Sequence, residues 1–359
     1  MIASPRFLAT LVALSLLLAA GAANGGGFAY DPEQEEGPHA GADFEWWYHF
    51  GFLGPAEAAN PTHAFVSSFQ RNPAGRYLFY TLTDLANGNK SHHARLDRAL
   101  LPMPAKLPSG HSYLPKPAAP PEADRSVLQL RYGDHQLTLV GDEYRARFLN
   151  PAFELNLTLT RCGPAMPVNG NGLQGLENPR DQHYYSYPRM AATGHLVLDG
   201  ESREMSGLFW YDHQWGIVRH PRLMKWCWWG LMLDNGDSLN LFRQWDFESG
   251  ELVQQGLTRQ SATKGVETSR KIEMTPGRRW AGPGDRVYHV EWRIAAPELG
   301  LTMAIEPIHD DHAIPVLLYG WIWEGPCRAK VRYADGSVTQ GIGFQEMIGT
   351  DRNREGRQP

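Results

Sequence analysis

Cysteine is scarce in this chain. Its 359 residues contain only Cys162, Cys227 and Cys327, with no CxxC pair among them. Neither a thiolate zinc site nor a disulfide-dense scaffold is expected from so few. One disulfide can form in an oxidising compartment, leaving one thiol over. Cys227 lies within Trp226-Cys227-Trp228-Trp229, where a small buried apolar role is the simpler reading. A basic excess is missing as well: 34 Lys and Arg stand against 39 Asp and Glu, for a formal net charge of −5. Nucleic acid and anionic membrane surfaces call for the opposite balance and are not expected partners. The chain has no G-x-S-x-G elbow, no H-E-x-x-H, no P-loop and no dinucleotide fingerprint. These absences argue against an α/β serine hydrolase and leave no sign of an organic cofactor or a metal. Long helical periodicities are absent too.

One long apolar run is present, at residues 7–20, following Arg6 and ending at the small residues Ala20-Gly21-Ala22. That order reads as a secretory signal peptide over residues 1–23, cleaved near Ala22-Ala23. The run is short for a bilayer span, so a soluble protein, secreted or periplasmic, is expected once it is removed. An uncleaved anchor is the alternative.

The rest is rich in turn formers and indoles, with 37 Gly, 26 Pro and 12 Trp. Apolar and polar residues alternate along several stretches. Phe153, Leu155, Leu157 and Leu159 share one face, as do Tyr144, Ala146 and Phe148, and also Tyr288, Val290, Trp292 and Ile294. A period of two marks strands with one face in an apolar interior. Leu128 to Leu139 turns at Gly133-Asp134, and Leu231 to Leu241 reads as a hairpin through Asp234-Asn235-Gly236-Asp237. Such spacing predicts an all-β protein of antiparallel barrel or sandwich type. Residues 101–121 are dense in proline, and residues 163–178 read as a long flexible loop. A boundary near His220-Pro221-Arg222 divides the chain into 24–218 and 219–359.

Chemistry concentrates in Trp210-Tyr211-Asp212-His213-Gln214-Trp215-Gly216. On a strand Trp210, Asp212 and Gln214 face one way, and Tyr211, His213 and Trp215 the other. An acid among aromatics can be desolvated and kept protonated, which makes it a proton donor. The competing reading is a strand-end Asp bonding backbone amides, with the tryptophans filling a core. In Phe44-Glu45-Trp46-Trp47-Tyr48, Glu45 and Trp47 share a face, and there a glutamate bonded to an indole or arginine is expected. His183, Tyr185 and Tyr187 align further upstream, with His183 able to position water or simply to be a bonded core histidine. His309-Asp310-Asp311-His312 lacks a spacing that puts two imidazoles on one face, and is expected to be a solvated turn.

These blocks resemble the AttH/carotenoid 1,2-hydratase family. Glu45-Trp46-Trp47-Tyr48 with Gly51-Phe52-Leu53 is similar to its opening EWWY-x-x-G-x-L signature. Tyr184-Tyr185-Ser186-Tyr187-Pro188-Arg189 resembles its YYS-x-P-R stretch, and residues 207–216 its W-[FY]-D-H-x-W-G block. Trp323-Glu324-Gly325 and residues 341–346 resemble its WEG and G-x-G-[YF]-x-E elements. The resemblance implies two consecutive lipocalin-like β-domains. The family holds carotenoid 1,2-hydratases, a fungal isoflavonoid hydratase and many secreted predicted hydrolases, and more distant relatives perform pericyclic cyclisations. It further implies that Asp212 is the acid, with Trp210, His183 and Tyr185 beside it. Glu45, Trp47, Tyr48, His213, Gln214 and Trp215 are then the candidate substrate-binding residues.

The expectation is an enzyme adding water to a C=C bond of a hydrophobic, isoprenoid-like molecule. A non-catalytic carrier of lipid or pigment is the alternative, and a metal-independent hydrolase rests on family labels alone. The sequence leaves oligomeric state open.

Overall fold

In the computed structural model the described residues are 27–351, except 57, 59, 73–74, 100–110, 114–125, 177, 219–223 and 317–319. The apolar leader, most of the proline-dense stretch and the joint at His220-Pro221-Arg222 lie outside them. No helix among the described residues is long and apolar enough to cross a membrane.

The chain is all-β. Strand Phe153–Arg161 buries Phe153, Leu155, Leu157 and Leu159 while its polar residues stay partly exposed. Glu143–Leu149 repeats the pattern with Tyr144, Ala146 and Phe148. Hairpins fall where glycine permits the left-handed region: Gly133 at φ 65°, and Gly236 at φ 90° between Met224–Leu233 and Ser238–Asp246.

The first sheet has 12 described strands and runs from Phe44 to Gly216. Phe44–Pro55 sits between His63–Asn72 and Glu201–Gly216, and Gln182–Leu198 follows beyond the last of these. The sheet curls into a nearly closed barrel, across which Tyr132 meets Phe69 edge-on at 5.2 Å and lies under the Arg76 guanidinium at 4.7 Å. A second sheet of 10 described strands begins at Met224 and forms a half-barrel.

Three apolar cores result. One fills the first barrel, with Trp47, Phe65, Phe69, Phe148 and Phe209. A second fills the half-barrel around Trp229, Trp292 and Trp323. The third lies between the two sheets, where Tyr48, Phe50, Tyr184 and Trp210 meet Trp228, Phe242, Ile322 and Phe344. Gly230 makes this seam possible, since a Cβ there would lie 2.7 Å from the rings of both Phe50 and Trp228. Gly230→Ala should therefore cost about 1–3 kcal/mol by overpacking. The shift of the urea midpoint measures it.

Some expectations change. The alternation through Tyr288, Val290, Trp292 and Ile294 is real, yet it spans two elements, Arg286–His289 and Trp292–Ala296, in different sheets. Both elements face one continuous partner run in a single register, with Arg279 opposite His289 and Pro276 opposite Trp292, and between them the Val290 N–H donates to Arg278 O and the Gly277 N–H to Glu291 O. Within residues 163–178, the stretch from Met166 to Asn169 is not a free loop. Met166 and Val168 are buried in the seam, and Asn169 N–H donates to Thr258 Oγ1 of the second half at 3.0 Å. All three cysteines are free, Cys162 at the surface and Cys227 and Cys327 buried.

Candidate active site

Antiparallel partners project to the same side of a sheet, so register assigns the faces. Ser186 and Tyr48 stand opposite Asp212, while Tyr184 and Trp46 stand opposite Gln214. Asp212, Trp210, Gln214 and Tyr48 thus face the seam between the sheets. Tyr185 and Trp47 stand opposite His213, and His183 and Glu45 opposite Trp215. Those residues face the barrel interior. The candidate residues form two sites, back to back across one sheet.

On the seam side, Asp212 is 2% exposed. Trp210 Nε1 donates to its Oδ1 at 2.7 Å, Ser186 Oγ donates to Oδ1 at 2.5 Å, and the Tyr184 hydroxyl meets Oδ2 at 2.8 Å. Asn240 of the second half donates to the Tyr184 hydroxyl at 3.0 Å, and its own Oδ1 has no partner among the described residues. Burial pushes the Asp212 carboxyl up to about 7, against the pull of Ser186, Trp210 and Tyr184, and the charge of Glu346 adds to the rise. An indole can only donate, so Oδ1 is committed as acceptor and Oδ2 is the oxygen placed to carry a proton. Aromatic rings close around it: Trp228 stands edge-on to Trp210 at 6.2 Å and to Tyr48 at 5.5 Å, and Phe50 stacks on Trp210 at 5.6 Å.

The second half contributes two more carboxyls. The Tyr48 hydroxyl donates to Glu324 Oε1 at 2.6 Å, and Trp226 Nε1 donates to Glu346 Oε1 at 2.5 Å. Glu324 is held well above its ordinary range by burial and by the neighbouring Glu346, and burial raises Glu346 too. A groove of about 470 Å³ on the outer flank of the second sheet and one of about 330 Å³ beside Arg161 and Tyr187 both lie away from Asp212.

Inside the barrel, Glu45 is a hub. Its carboxylate accepts the His39 backbone N–H at 2.9 Å and contacts the rings of His39 at 2.6 Å and His213 at 3.0 Å. Burial alone would raise Glu45, but the bonds from His213 and His39 more than offset it and hold the carboxyl below its usual range. Burial lowers His213 to about 4, which keeps the imidazole neutral. His39 and His183 both stack on Trp215, at 4.2 and 4.9 Å, and Tyr185 bonds His213 Nδ1 at 3.2 Å. Trp47 donates to the Glu36 carbonyl at 2.9 Å. The Glu36 carboxylate in turn receives Tyr211 at 2.9 Å and Arg161 at 2.8 Å. This network seats residues 36–39 as a buried plug in the barrel.

His183 therefore does not reach Asp212, because an odd step along the strand puts it on the other side of the sheet. Its place beside the acid is taken by Tyr184 and Ser186, one residue on from His183 and Tyr185. Nor is the His309–His312 segment merely a solvated turn. His312 is buried, His309 Nε2 bonds Leu85 O at 2.9 Å, and Asp311 pairs with Lys90 at 2.6 Å, joining the halves.

Sequence patterning alone gives no role to Tyr184, Ser186, Asn240, Trp226, Trp228, Glu324 or Glu346. Glu324 and Glu346 lie in the WEG and Gly341–Glu346 blocks, and two-residue spacing sets Trp226 and Trp228 on one face. Only the pairing of distant strands brings them to Asp212.

The family model described as AttH-like matches residues 32–350. The chain belongs to the AttH-like family. The solved AttH protein of Nitrosomonas europaea superposes with a TM-score of 0.74 at 22% identity, covering 90% of this chain and 98% of that one. Kievitone hydratase of Nectria haematococca gives 0.70 at 15% identity, covering 90% and 94%. CghA with Sch210972 gives 0.56 at 13%, covering 86% and 89%. At these identities the likeness is one of fold, the paired lipocalin-like sheets. No curated protein matches this AttH-like chain.

Proposed function

We propose that this AttH-like protein is a hydratase-type enzyme that protonates and hydrates an isolated C=C bond of a hydrophobic, isoprenoid-like molecule. The observation that carries the reading is Asp212: a buried, aromatic-walled carboxyl raised to about 7 at the seam of two sheets. An acid held in that range is poised to give up a proton near neutrality. Protonating an alkene leaves a tertiary cation, and the indole faces of Trp210 and Trp228 can stabilise it by about 2 kcal/mol when desolvated. Water then adds to the cation. A structural neighbour bearing the name kievitone hydratase agrees with this class of reaction. The first barrel is filled by its own side chains, including Phe65, Phe69 and Phe148, which weakens the carrier alternative. Export, inferred from residues 1–23, belongs to the same proposal.

The test is a panel of terpenoid and prenylated alkenes incubated with the full mature chain and followed by mass spectrometry. A product heavier by one water, formed by the wild type and not by Asp212→Asn, is expected. A panel recovered unchanged, or hydrated equally by the variant, removes the reading.

A further inference from the structure

The acid step leaves two more carboxyls without a task, one buried and one half-buried. Glu324 on Gly320–Tyr333 and Glu346 on Val338–Ile348 stand directly opposite each other in the antiparallel register. Like charges so placed repel, and out of water both cannot ionise together. One proton between them resolves the conflict, and the pair then titrates as a unit. Tyr48, the cross-strand neighbour of Asp212, donates to Glu324 and so ties the pair to the acid. Glu324 is 1% exposed, whereas Glu346 and its partner Trp226 are only half-buried, so the pair spans from the seam towards solvent.

We propose that Glu324 and Glu346 hold one proton between them and form the base half of the hydration site. This rests on the hydration reading above. Asp212 gives its proton to one alkene carbon, and the π pair becomes the new C–H bond. A lone pair of water forms the C–O bond at the cationic carbon, and the proton this water loses passes to the carboxylate of the pair. One proton then returns from the pair to Asp212, by way of solvent at Glu346. The net change is alkene plus water to alcohol. Acid and base thus come from different halves of the chain.

The test uses Glu324→Gln, Glu346→Gln and the double variant, with a compound that the wild type hydrates. Each single variant removes one member of the proton-accepting pair and should lower kcat by about 10-fold or more, with KM little changed. The double variant should lose about 10²-fold or more in kcat, with KM little changed and Tm retained. A double variant that turns over normally while Asp212→Asn is dead overturns the base assignment and leaves the acid in place. A single variant at either position that leaves kcat unchanged overturns the assignment of that residue to the base. If Asp212→Asn is also fully active, the hydration reading itself has failed, and the base role falls with it. A substrate-free check is infrared spectroscopy in an Asp212→Asn background. A deuterium-sensitive carboxylic acid band at neutral pH should shift when Glu346→Gln is added, as the shared proton loses its carboxylate partner, and a band unchanged by that addition refutes proton sharing.

Discussion

Asp212→Asn should lower hydration turnover by about 10²–10⁴-fold, the range a positioned general acid contributes. The amide keeps the size of the side chain and can still accept from Trp210 and Ser186, so the fold should persist. Turnover of the wild type should fall as pH rises through about 7, because only the protonated carboxyl donates. Stability follows the same group in a direction that can be worked out. The folded value is raised above the ordinary 3.8. The contribution of Asp212 is therefore fully favourable below about pH 4 and is lost progressively as pH climbs towards 7. The loss is on the order of 4 kcal/mol, taking about 1.4 kcal/mol per pH unit. Asn does not titrate. The variant should match the wild type in Tm near pH 4 and exceed it at pH 8, inactive yet more stable. A variant less stable at pH 8 would place the carboxylate, and not the acid, as the natural state of this residue.

Glu45→Ala should destabilise the protein by about 3–5 kcal/mol, the usual cost of removing one partner from a buried charged network. Three donors lose their acceptor at once: the His39 backbone N–H and the facing ring nitrogens of His39 and His213. Each unmet buried donor costs about 1–3 kcal/mol. The damage should concentrate at the plug, because Glu45 is what fastens residue 39 to the barrel wall. Limited proteolysis should cut the variant near residues 27–40 well before the wild type, and chemical denaturation should show the lowered midpoint. Glu45→Gln should be milder, since its carbonyl oxygen still accepts. If Glu45→Ala unfolds like the wild type and its leading segment stays protected, the hub role is wrong.

The alternation of Phe153, Leu155, Leu157 and Leu159, and the hairpin at Asn235-Gly236, make the all-β class legible in the amino-acid order itself. Asp212 and Trp210 are legible too, since two-residue spacing puts an acid and an indole on one face. The phase of the facing strand is not. In Gln182–Leu198 and Glu201–Gly216 the functional stretch is buried on both faces, from Tyr184 to Tyr187 and from Phe209 to Gly216. Where both sides are apolar, hydrophobic pattern cannot say which side looks inward. His183 and Tyr185 therefore look as suitable as Tyr184 and Ser186. The register Ser186 opposite Asp212 decides between them, and register between distant strands is a property of the closed barrel. Glu324 and Glu346 are hidden for the same reason, lying more than a hundred residues beyond the acid they approach.

A wall with work on both sides has a consequence for how such a chain can vary. Deleting one residue ahead of Asp212 within Glu201–Gly216 would swing the imidazole of His213 out to the seam and the carboxyl in towards the plug. Both sites would be lost in a single event. Length changes along these strands are thus confined to pairs of residues or to the loops beyond them, while amino-acid replacements on one side leave the other untouched.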